Sequence, residues 1–188
     1  MEIVPDYPLE TARLLLRPFT RGDLDAVHAY RSREDVTRFL LDGPMTREAC
    51  AEAVQGRVGM TQWAAEADKL FLAVERRADA AMMGEVVLIL RDLPARQAEL
   101  GYIFHPDYGG QGYATEASRR LLGFAFDKAG IHRVYARCHP GNAASWRLME
   151  RLGMRREAHF REHALVKGVW DEEFVYAILE DEWRTHSP

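Results

Sequence analysis

Apolar and polar residues alternate along several short stretches of the chain, which is the pattern of half-buried β-strands. The clearest alternation places Leu100, Tyr102 and Phe104 on one side of a strand. Strands are predicted over residues 13–18, 70–75, 84–90, 98–104, 133–138, 155–165 and 169–179. Turn residues at 92–94 separate two of the three consecutive central strands, so these predict an antiparallel meander. The turn at 166–168 makes the last two strands a C-terminal hairpin.

Four other stretches place apolar residues three or four positions apart, which is the spacing of one helix face. Helices are predicted after Thr20, from Thr46 to about Trp63, and over residues 114–128 and 143–152. Thr20 and Thr46 are suitable N-cap residues, and a glycine follows each of the last two helices. Because no repeat or linker divides the chain, residues 1–188 are predicted to form a single domain of the mixed αβ (α+β) class.

A glycine-rich loop at residues 109–115 joins the central strand to a helix through Gly109, Gly110 and Gly112. Such a turn at a helix N-terminus presents free backbone N–H groups, and the missing side chains let a phosphate approach the main chain. A phosphorylated cofactor is therefore the expected ligand, although glycines also occur in plain tight turns. The loop lacks the Gly-Lys-Ser/Thr ending of nucleotide hydrolases, and Thr115 stands where a dinucleotide-binding loop has its third glycine. Both nucleotide alternatives are disfavoured.

The composition mainly excludes some classes of partner and site. The chain of 188 residues is 47% hydrophobic, enough for a core, and its net charge is −4 without a long basic run. We therefore expect no nucleic-acid partner and no membrane partner. Cys50 and Cys138 match neither a zinc spacing nor a disulfide framework, so no metal is predicted. No stretch approaches the ~18–20 apolar residues of a spanning helix, and the N-terminus has no apolar segment, which favours a cytoplasmic protein.

Four motifs, in order along nearly the whole chain, carry a more specific signal. They are ETARLLLRP at 10–18; ELGY at 99–102 with GQGYATEA at 110–117; NAAS at 142–145 with RLGM at 151–154; and GVWD at 168–171 with EW at 182–183. With these motifs the chain resembles the GNAT superfamily of acyl-CoA-dependent N-acetyltransferases. Within that superfamily it resembles the RimJ/RimL type, which acetylates ribosomal-protein N-termini.

The resemblance implies a central, mostly antiparallel twisted sheet of six to seven strands with flanking helices and a splayed cofactor cleft. It implies acetyl-CoA as the cofactor and a homodimer as the assembly. The pantetheine arm would pair with the main chain of Tyr102, Ile103 and Phe104, and Asn142 would hydrogen-bond the arm or cap the following helix. The pyrophosphate would lie on the loop residues Gly109, Gly110, Gln111, Gly112, Tyr113, Ala114 and Thr115.

Two positions depart from the family pattern. GNAT loops usually begin with Gln or Arg where this chain has Gly109, which removes a side-chain contact to the pyrophosphate. The tyrosine that often stands seven residues after the motif asparagine, and protonates the leaving thiolate, is replaced by Met149. Methionine cannot act as an acid, so Ser145 is the nearest polar candidate. In the RimJ/RimL type a serine at this place is expected near the thioester sulfur, although a serine in a helix needs no function.

Acetyl transfer to an amine also needs a group that accepts the amine proton. Glu99, at the start of the cofactor strand, is the first candidate for this base, and its alternative is a solvated surface glutamate. Glu85, His105 and His139 are further candidates, each with an ordinary structural alternative. Glu116, in the first turn of the helix after the loop, is expected to stabilise the helix dipole.

The acceptor side is assigned to Trp170 and Asp171, because an aromatic ring offers contact area and a carboxylate attracts a cationic amine. A packed aromatic at a hairpin edge is the alternative. The expected activity is an acetyl-CoA-dependent N-acetyltransferase that moves an acetyl group to a primary amine by direct transfer in a ternary complex. The acceptor would be a protein or peptide N-terminus or a small-molecule amine. The alternatives are a non-catalytic acyl-CoA-binding module and a structural domain that binds nothing.

Overall fold

The computed structural model describes residues 3–186, which form one open sheet with helices on both faces. The strands are β1 (Leu9–Glu10), β2 (Leu14–Pro18), β3 (Lys69–Arg76), β4 (Met82–Asp92), β5 (Gln97–Phe104), β6 (Arg133–Cys138), β7 (Arg155–Val166) and β8 (Val169–Leu179). The helices are α1 (Leu24–Arg31), α2 (Glu34–Thr37), α3 (Arg47–Arg57), α4 (Tyr113–Asp127), α5 (Ala143–Arg151) and α6 (Glu180–His186). Short 3₁₀ turns precede α1 and follow β5.

The sheet has the strand order β1-β2-β3-β4-β5-β6-β8-β7. Strands β5 and β6 run parallel, and the other neighbouring pairs are antiparallel. The expected α+β fold with a mostly antiparallel sheet is confirmed. It has one strand more than the expected six to seven, because the two-residue β1 pairs with β2. No helix within residues 3–186 is long and apolar enough to cross a membrane.

Alternation along the strands divides the apolar side chains between two cores, one on each face of the sheet. The larger core lies under α4 and α5 and includes Leu88, Leu100, Leu121, Val134, Leu148 and Met149. The smaller core lies under α1 and α3 and includes Val27, Tyr30, Cys50, Val54 and Ala73. Strand β5 contributes to both, because Leu100 faces the first core and Ile103 packs against the second.

Helix α3 begins where the sequence predicts, but it is shorter. The Thr46 side chain caps it by accepting the Ala49 N–H at 3.2 Å. The prediction that the helix continues to about Trp63 is wrong, because the helix ends at Arg57 and Gly59 then turns the chain with φ of +92°. Trp63 is fully buried in the larger core, where its indole N–H donates to a backbone carbonyl of β4 at 3.3 Å.

A buried ion pair attaches the helices of the smaller core to the sheet. The Arg57 guanidinium lies 2.7 Å from the Glu85 carboxylate, and the Tyr30 hydroxyl donates to the same carboxylate at 3.0 Å. Burial raises the pKa of Glu85, although Arg57 acts to lower it. With 2% of its surface exposed, Glu85 links β4 to α1 and α3 and is not open to a substrate. Its structural alternative is the one that the geometry supports.

The close approach of β4 and β5 depends on Gly84. A Cβ at this position would lie 2.4 Å from the Ile103 carbonyl oxygen and 2.8 Å from the Phe104 Cα. We predict that Gly84→Ala lowers the free energy of unfolding by about 1–3 kcal/mol, because backbone atoms must move to admit the methyl group. Urea unfolding measures this change.

The control for this prediction is Gly56→Ala in α3, where an added Cβ meets nothing within 4 Å. That variant should be as stable as the wild type or more stable by up to about 1 kcal/mol, as expected for glycine replaced by alanine in an exposed helix. Equal stability of Gly84→Ala and the wild-type protein would show that β4 and β5 can separate at this point without cost.

Candidate active site

Strands β5 and β6 diverge part-way along their length. They pair at Gln97 with Arg133, at Ala98 with Val134 and at Glu99 with Tyr135, and the ladder stops there. Beyond this point β6 stays paired to β8 as far as Cys138, and β5 stays paired to β4 as far as Phe104. A gap therefore opens in the middle of the sheet, as the resemblance implies.

The edge of β5 along this gap offers backbone groups for pairing. The His105 N–H donates to the Met83 carbonyl of β4 at 2.9 Å, so alternate residues before it also face β4. By this alternation the N–H and C=O groups of Tyr102 and Phe104 face the gap, and those of Ile103 face β4. Among the predicted pantetheine contacts, the structure thus brings the main chain of Tyr102 and Phe104 to the gap.

The loop of residues 109–115 follows β5 at the open end of the gap. A Cβ at Gly109 would lie 2.8 Å from the Pro106 carbonyl oxygen, so the turn has no room for the Gln or Arg side chain that is usual there. Gly110 and Gly112 have φ of +73° and +80°, the left-handed region that favours glycine. A Cβ at Gly110 would meet nothing within 4 Å, so this part of the loop faces open space.

The loop also presents unused backbone donors. Within residues 3–186, the amide N–H groups of residues 110–115 have no protein acceptor, and the Glu116 N–H is the first to bond back, to the Gly112 carbonyl at 3.0 Å. These donors lie at the N-terminus of α4, a helix of 15 residues. Free N–H groups at the positive end of a helix dipole form an anion site.

Glu116 holds this loop in place. Its carboxylate accepts the Thr11 hydroxyl at 2.6 Å and the Arg13 Nε–H at 2.6 Å. Arg13 in turn donates from Nη1 to the Gln111 carbonyl at 3.0 Å. Burial acts to raise the pKa of Glu116, but the hydrogen bonds from Thr11 and Arg13 outweigh it, and the pKa is lowered. Glu116 therefore has a structural role in fixing the loop against the start of β2.

Ser145 lies between the two diverging strands. The Asn142 carbonyl oxygen Oδ1 accepts the Ser145 N–H at 3.2 Å, which caps α5 and turns Ser145 toward the gap. The Ser145 Oγ lies 2.8 Å from the Tyr102 hydroxyl of β5, and the Ser145 hydroxyl acts to lower the pKa of the Cys138 thiol of β6. Only 9% of Ser145 is exposed. Met149, one turn later, points into the core with 1% exposed.

Glu99 lies where the β5–β6 ladder ends, on the sheet face opposite α4. Its two carboxylate oxygens accept from two arginines: Oε2 from Arg91 at 2.7 Å and Oε1 from Arg137 at 3.0 Å. Arg137 also lies 3.4 Å from Glu173 of β8. Glu99 is about 10 Å from Tyr102 along the strand, at about 3.3 Å per residue. It can therefore reach an amine near Tyr102 only through water.

Asp171 lies beside the gap on the C-terminal hairpin. His139 Nε2 is 3.7 Å and His163 Nε2 is 4.0 Å from its carboxylate. The His139 ring stacks on Phe39 with centroids 5.2 Å apart. Trp170, its neighbour in sequence, is 61% exposed and lies outside this group. The structure thus brings Asp171 toward the gap and leaves Trp170 at the surface.

The two histidines proposed as alternative bases each use a ring nitrogen in a turn. His139 Nδ1 accepts the Gly141 N–H at 2.9 Å, and His105 Nδ1 accepts the Asp107 N–H at 3.2 Å. A nitrogen that accepts a backbone N–H is not available to take a proton from a substrate. Their structural alternatives are therefore favoured.

Comparison with known proteins gives the family. The family model described as an acetyltransferase (GNAT) domain matches residues 13–155. The uncharacterized N-acetyltransferase YnaD of Bacillus subtilis is 34% identical over 175 residues, which is 93% of this chain and 98% of that protein. The chain belongs to the GNAT acetyltransferase family. Like the members it matches, this GNAT protein is an N-acetyltransferase.

Solved structures agree with this assignment. A GNAT family acetyltransferase from Bacillus anthracis superposes with a TM-score of 0.82 at 32% identity, covering 96% of this chain and 99% of that one. Spermidine N-acetyltransferase from Vibrio cholerae, solved with CoA and spermine, shares the fold with a TM-score of 0.77 at 23% identity, over 93% and 99% of the two chains. The GNAT fold is therefore shown.

The residues present fit acetyl-CoA, which GNAT acetyltransferases use. The free amide N–H groups of residues 110–115 suit a pyrophosphate, and the open space at Gly110 admits it. The unpaired main chain of Tyr102 and Phe104 suits the amide groups of a pantetheine arm, which pair like a strand. The gap ends at Ser145, where the acetyl end of the arm would lie.

A cluster of arginines at the mouth of the gap adds positive charge to this anion site. Arg151 of α5 donates from Nε to the Thr115 hydroxyl at 3.3 Å, beside the free amides. Arg119 of α4 donates to the Arg151 carbonyl at 2.8 Å. Neither arginine was predicted from the sequence to contact the cofactor. Their helical spacing on α4 and α5 was a signal, but only the contact between the two helices shows that they meet.

We predict that Arg151→Ala weakens acetyl-CoA binding about tenfold, because a charge-assisted hydrogen bond contributes about 1.5 kcal/mol or more. Calorimetric titration at low and high NaCl measures this, and the loss should shrink as salt screens the charge. The control is Arg120→Ala, also on α4, whose side chain donates to the Glu10 carbonyl away from the gap. Equal affinities of Arg151→Ala and the wild type would remove Arg151 from the cofactor site.

Proposed function

We propose that this protein transfers an acetyl group from acetyl-CoA directly to a primary amine, within a ternary complex, and that the acceptor is the N-terminal α-amine of a peptide or protein. The observation that supports it best is the gap between β5 and β6, which ends at Ser145 and opens at the free amides of residues 110–115. Bound acetyl-CoA supplies an acetyl group activated as a thioester. The residues of this chain then bind and orient acetyl-CoA and the amine, and they exclude water from the site.

Direct transfer is favoured by the state of Cys138, the thiol nearest to Ser145. Burial raises the pKa of Cys138 to about 11, although the Ser145 hydroxyl acts to lower it. A thiol with this pKa is protonated at neutral pH, and only the thiolate is a good nucleophile. Cys138 is therefore a poor carrier for an acetyl group, and the acceptor nitrogen attacks the thioester itself.

The charges beside the gap favour an acceptor with one cationic group. Glu99 and Glu173 are matched by Arg91 and Arg137, so this strip of the sheet is balanced. Asp171 has no arginine or lysine within ion-pair distance among residues 3–186. One such carboxylate can attract one ammonium group.

An α-amine also suits the modest proton acceptor that the site offers. Its pKa of about 8 leaves it substantially neutral at cellular pH, whereas a lysine side chain near 10.4 is almost wholly protonated. Glu99, acting through water, accepts the proton released as the amide forms. Each of its oxygens faces two N–H groups of one arginine, which fixes the carboxylate in place: Oε2 faces Arg91 and Oε1 faces Arg137. The RimJ/RimL type, expected from the sequence motifs, is part of this proposal.

Calorimetric titration with acetyl-CoA, ATP and NAD tests the cofactor without knowledge of the acceptor. We expect micromolar, near-stoichiometric binding of acetyl-CoA alone. Transfer is then measured on a peptide with a free N-terminus and one internal lysine, and on the same peptide with its N-terminus blocked. The free N-terminus should be acetylated and the blocked peptide should not. Acetylation of spermidine in preference to the peptide would overturn the choice of acceptor.

The role of Glu99 gives a separate prediction. Glu99→Gln should lower kcat about 10²-fold, because it removes the group that relays the amine proton while preserving the size of the side chain. Glu173→Gln is the matched control, since Glu173 also pairs with Arg137 but lies on β8, away from the end of the ladder. It should change kcat by about twofold or less. If both variants lose the same activity, Glu99 acts through the arginine network and not as the proton acceptor.

A further inference from the structure

The sequence motifs give a role to the main chain of Tyr102 but none to its side chain. Its hydroxyl is 2.8 Å from the Ser145 Oγ and 3.1 Å from the Ser145 carbonyl oxygen. Burial raises the pKa of Tyr102 well above its usual range, although the Ser145 hydroxyl acts to lower it. Tyr102 therefore stays protonated and keeps one hydrogen to donate.

The two oxygens of Ser145 compete for that hydrogen. Inside a helix a backbone carbonyl accepts from the N–H four residues later, so one of the two lone pairs of the Ser145 carbonyl is used within α5. The Ser145 Oγ has no such helical partner, and it is the nearer of the two oxygens to Tyr102. The Tyr102 hydrogen thus belongs on Oγ. When the Ser145 Oγ accepts the Tyr102 hydrogen, the Ser145 hydroxyl must point its own hydrogen away from Tyr102.

A sulfur atom is the other neighbour of the Ser145 hydroxyl. The Ser145 hydroxyl is close enough to the Cys138 thiol of β6 to act on its pKa, which it lowers against the effect of burial. Ser145 therefore lies between Tyr102 on β5 and Cys138 on β6, and with Tyr102 donating to Oγ the Ser145 hydrogen is free to point into the gap. The thioester sulfur of a ligand lying in that gap would meet the same hydrogen.

We propose that Tyr102 is a positioning residue for acetyl transfer: it donates to Ser145 Oγ and so directs the Ser145 hydrogen onto the departing sulfur. The inference rests on the proposed function. In the transfer, a C–N bond forms to the acceptor nitrogen as the C–S bond breaks, and the electron pair of that bond stays on sulfur. The amine proton leaves toward water and Glu99. Tyr102 loses no proton, and the Ser145 hydrogen bond stabilises the charge on sulfur.

The Tyr102–Ser145 pair offers the sulfur a hydrogen-bond donor, which Met149 cannot provide. A tyrosine on α5 could protonate the sulfur directly, but Met149 is buried in the core. Here a tyrosine from the opposite side of the gap acts on sulfur through one serine.

Steady-state kinetics of Tyr102→Phe, Ser145→Ala and the double variant test the proposal. We expect Tyr102→Phe to lower kcat about tenfold with the KM for acetyl-CoA changed by less than about twofold, because the interaction acts on charge that develops during transfer. Ser145→Ala should lower kcat about 10²-fold. The double variant should be no slower than Ser145→Ala alone, because Tyr102 acts only through Ser145.

A binding measurement provides a readout besides activity. The affinities for CoA and for desulfo-CoA, which lacks the thiol, are compared between pH 7 and pH 10 by calorimetry. In the wild type the preference for CoA should grow as the thiol ionises, since a hydrogen bond to the thiolate favours it. In Tyr102→Phe this growth should be about tenfold smaller. Tyr176→Phe is the control, because that buried hydroxyl bonds Glu150 and does not contact Ser145.

The outcomes separate the inference from the proposed function. A wild-type protein that binds no acetyl-CoA would overturn the proposed function. A wild type that binds and transfers, with Tyr102→Phe equal to it in kcat and in the CoA preference, would overturn this inference alone. An additive double variant would do the same, because Tyr102 would then act independently of Ser145. A loss shared by Tyr176→Phe would show a general packing effect and also count against the inference.

Discussion

The early end of the parallel ladder between β5 and β6 is the constraint on which the rest of the molecule depends. Three residue pairs join these strands before they part, and each strand then keeps only its outer neighbour. A sheet interrupted in its middle leaves backbone donors and acceptors without partners, and each such group costs about 1–3 kcal/mol if it is also shielded from water. In this gap a ligand with amide groups can pair with the free backbone groups as a strand would, and binding then removes the cost.

Two features keep the gap from closing or spreading. Helices α4 and α5 pack on the same face of the sheet, and Ser145 in the first turn of α5 contacts Tyr102 of β5 where the ladder is missing. On the other side of β5, Gly84 lets β4 approach Phe104 closely enough to retain the outer half of the strand. The gap is thus set by packing on both sides and does not depend on a loop.

How far the site follows from sequence depends on the range of the interactions that build it. The 109–115 loop and the start of α5 are local: glycine spacing and an asparagine cap identify them, and the structure has Asn142 capping α5 as capping chemistry implies. Glu99 was readable as a carboxylate on the cofactor strand, but its two arginines come from β4 and β6. No pattern along one strand reveals partners on two others. Helix α6 was not predicted for the same reason, because its Trp183 stacks on Phe126 of α4, which is distant in sequence.

The sequence pattern around α5 makes sense only with the side chains that face it. Ser145 and Met149 are four residues apart and so lie on one face of the helix, but that face tilts from the gap into the core within a single turn. A larger side chain at 149 would have to displace neighbours in a close-packed interior, which costs about 1–3 kcal/mol. A hydroxyl donor on this helix is therefore sterically disfavoured beyond Ser145, and the nearest strand, β5, is the element from which one can reach the same point. Tyr102 stands there with its hydroxyl 2.8 Å from the Ser145 Oγ, so the hydroxyl that α5 cannot place at residue 149 reaches this point from the strand.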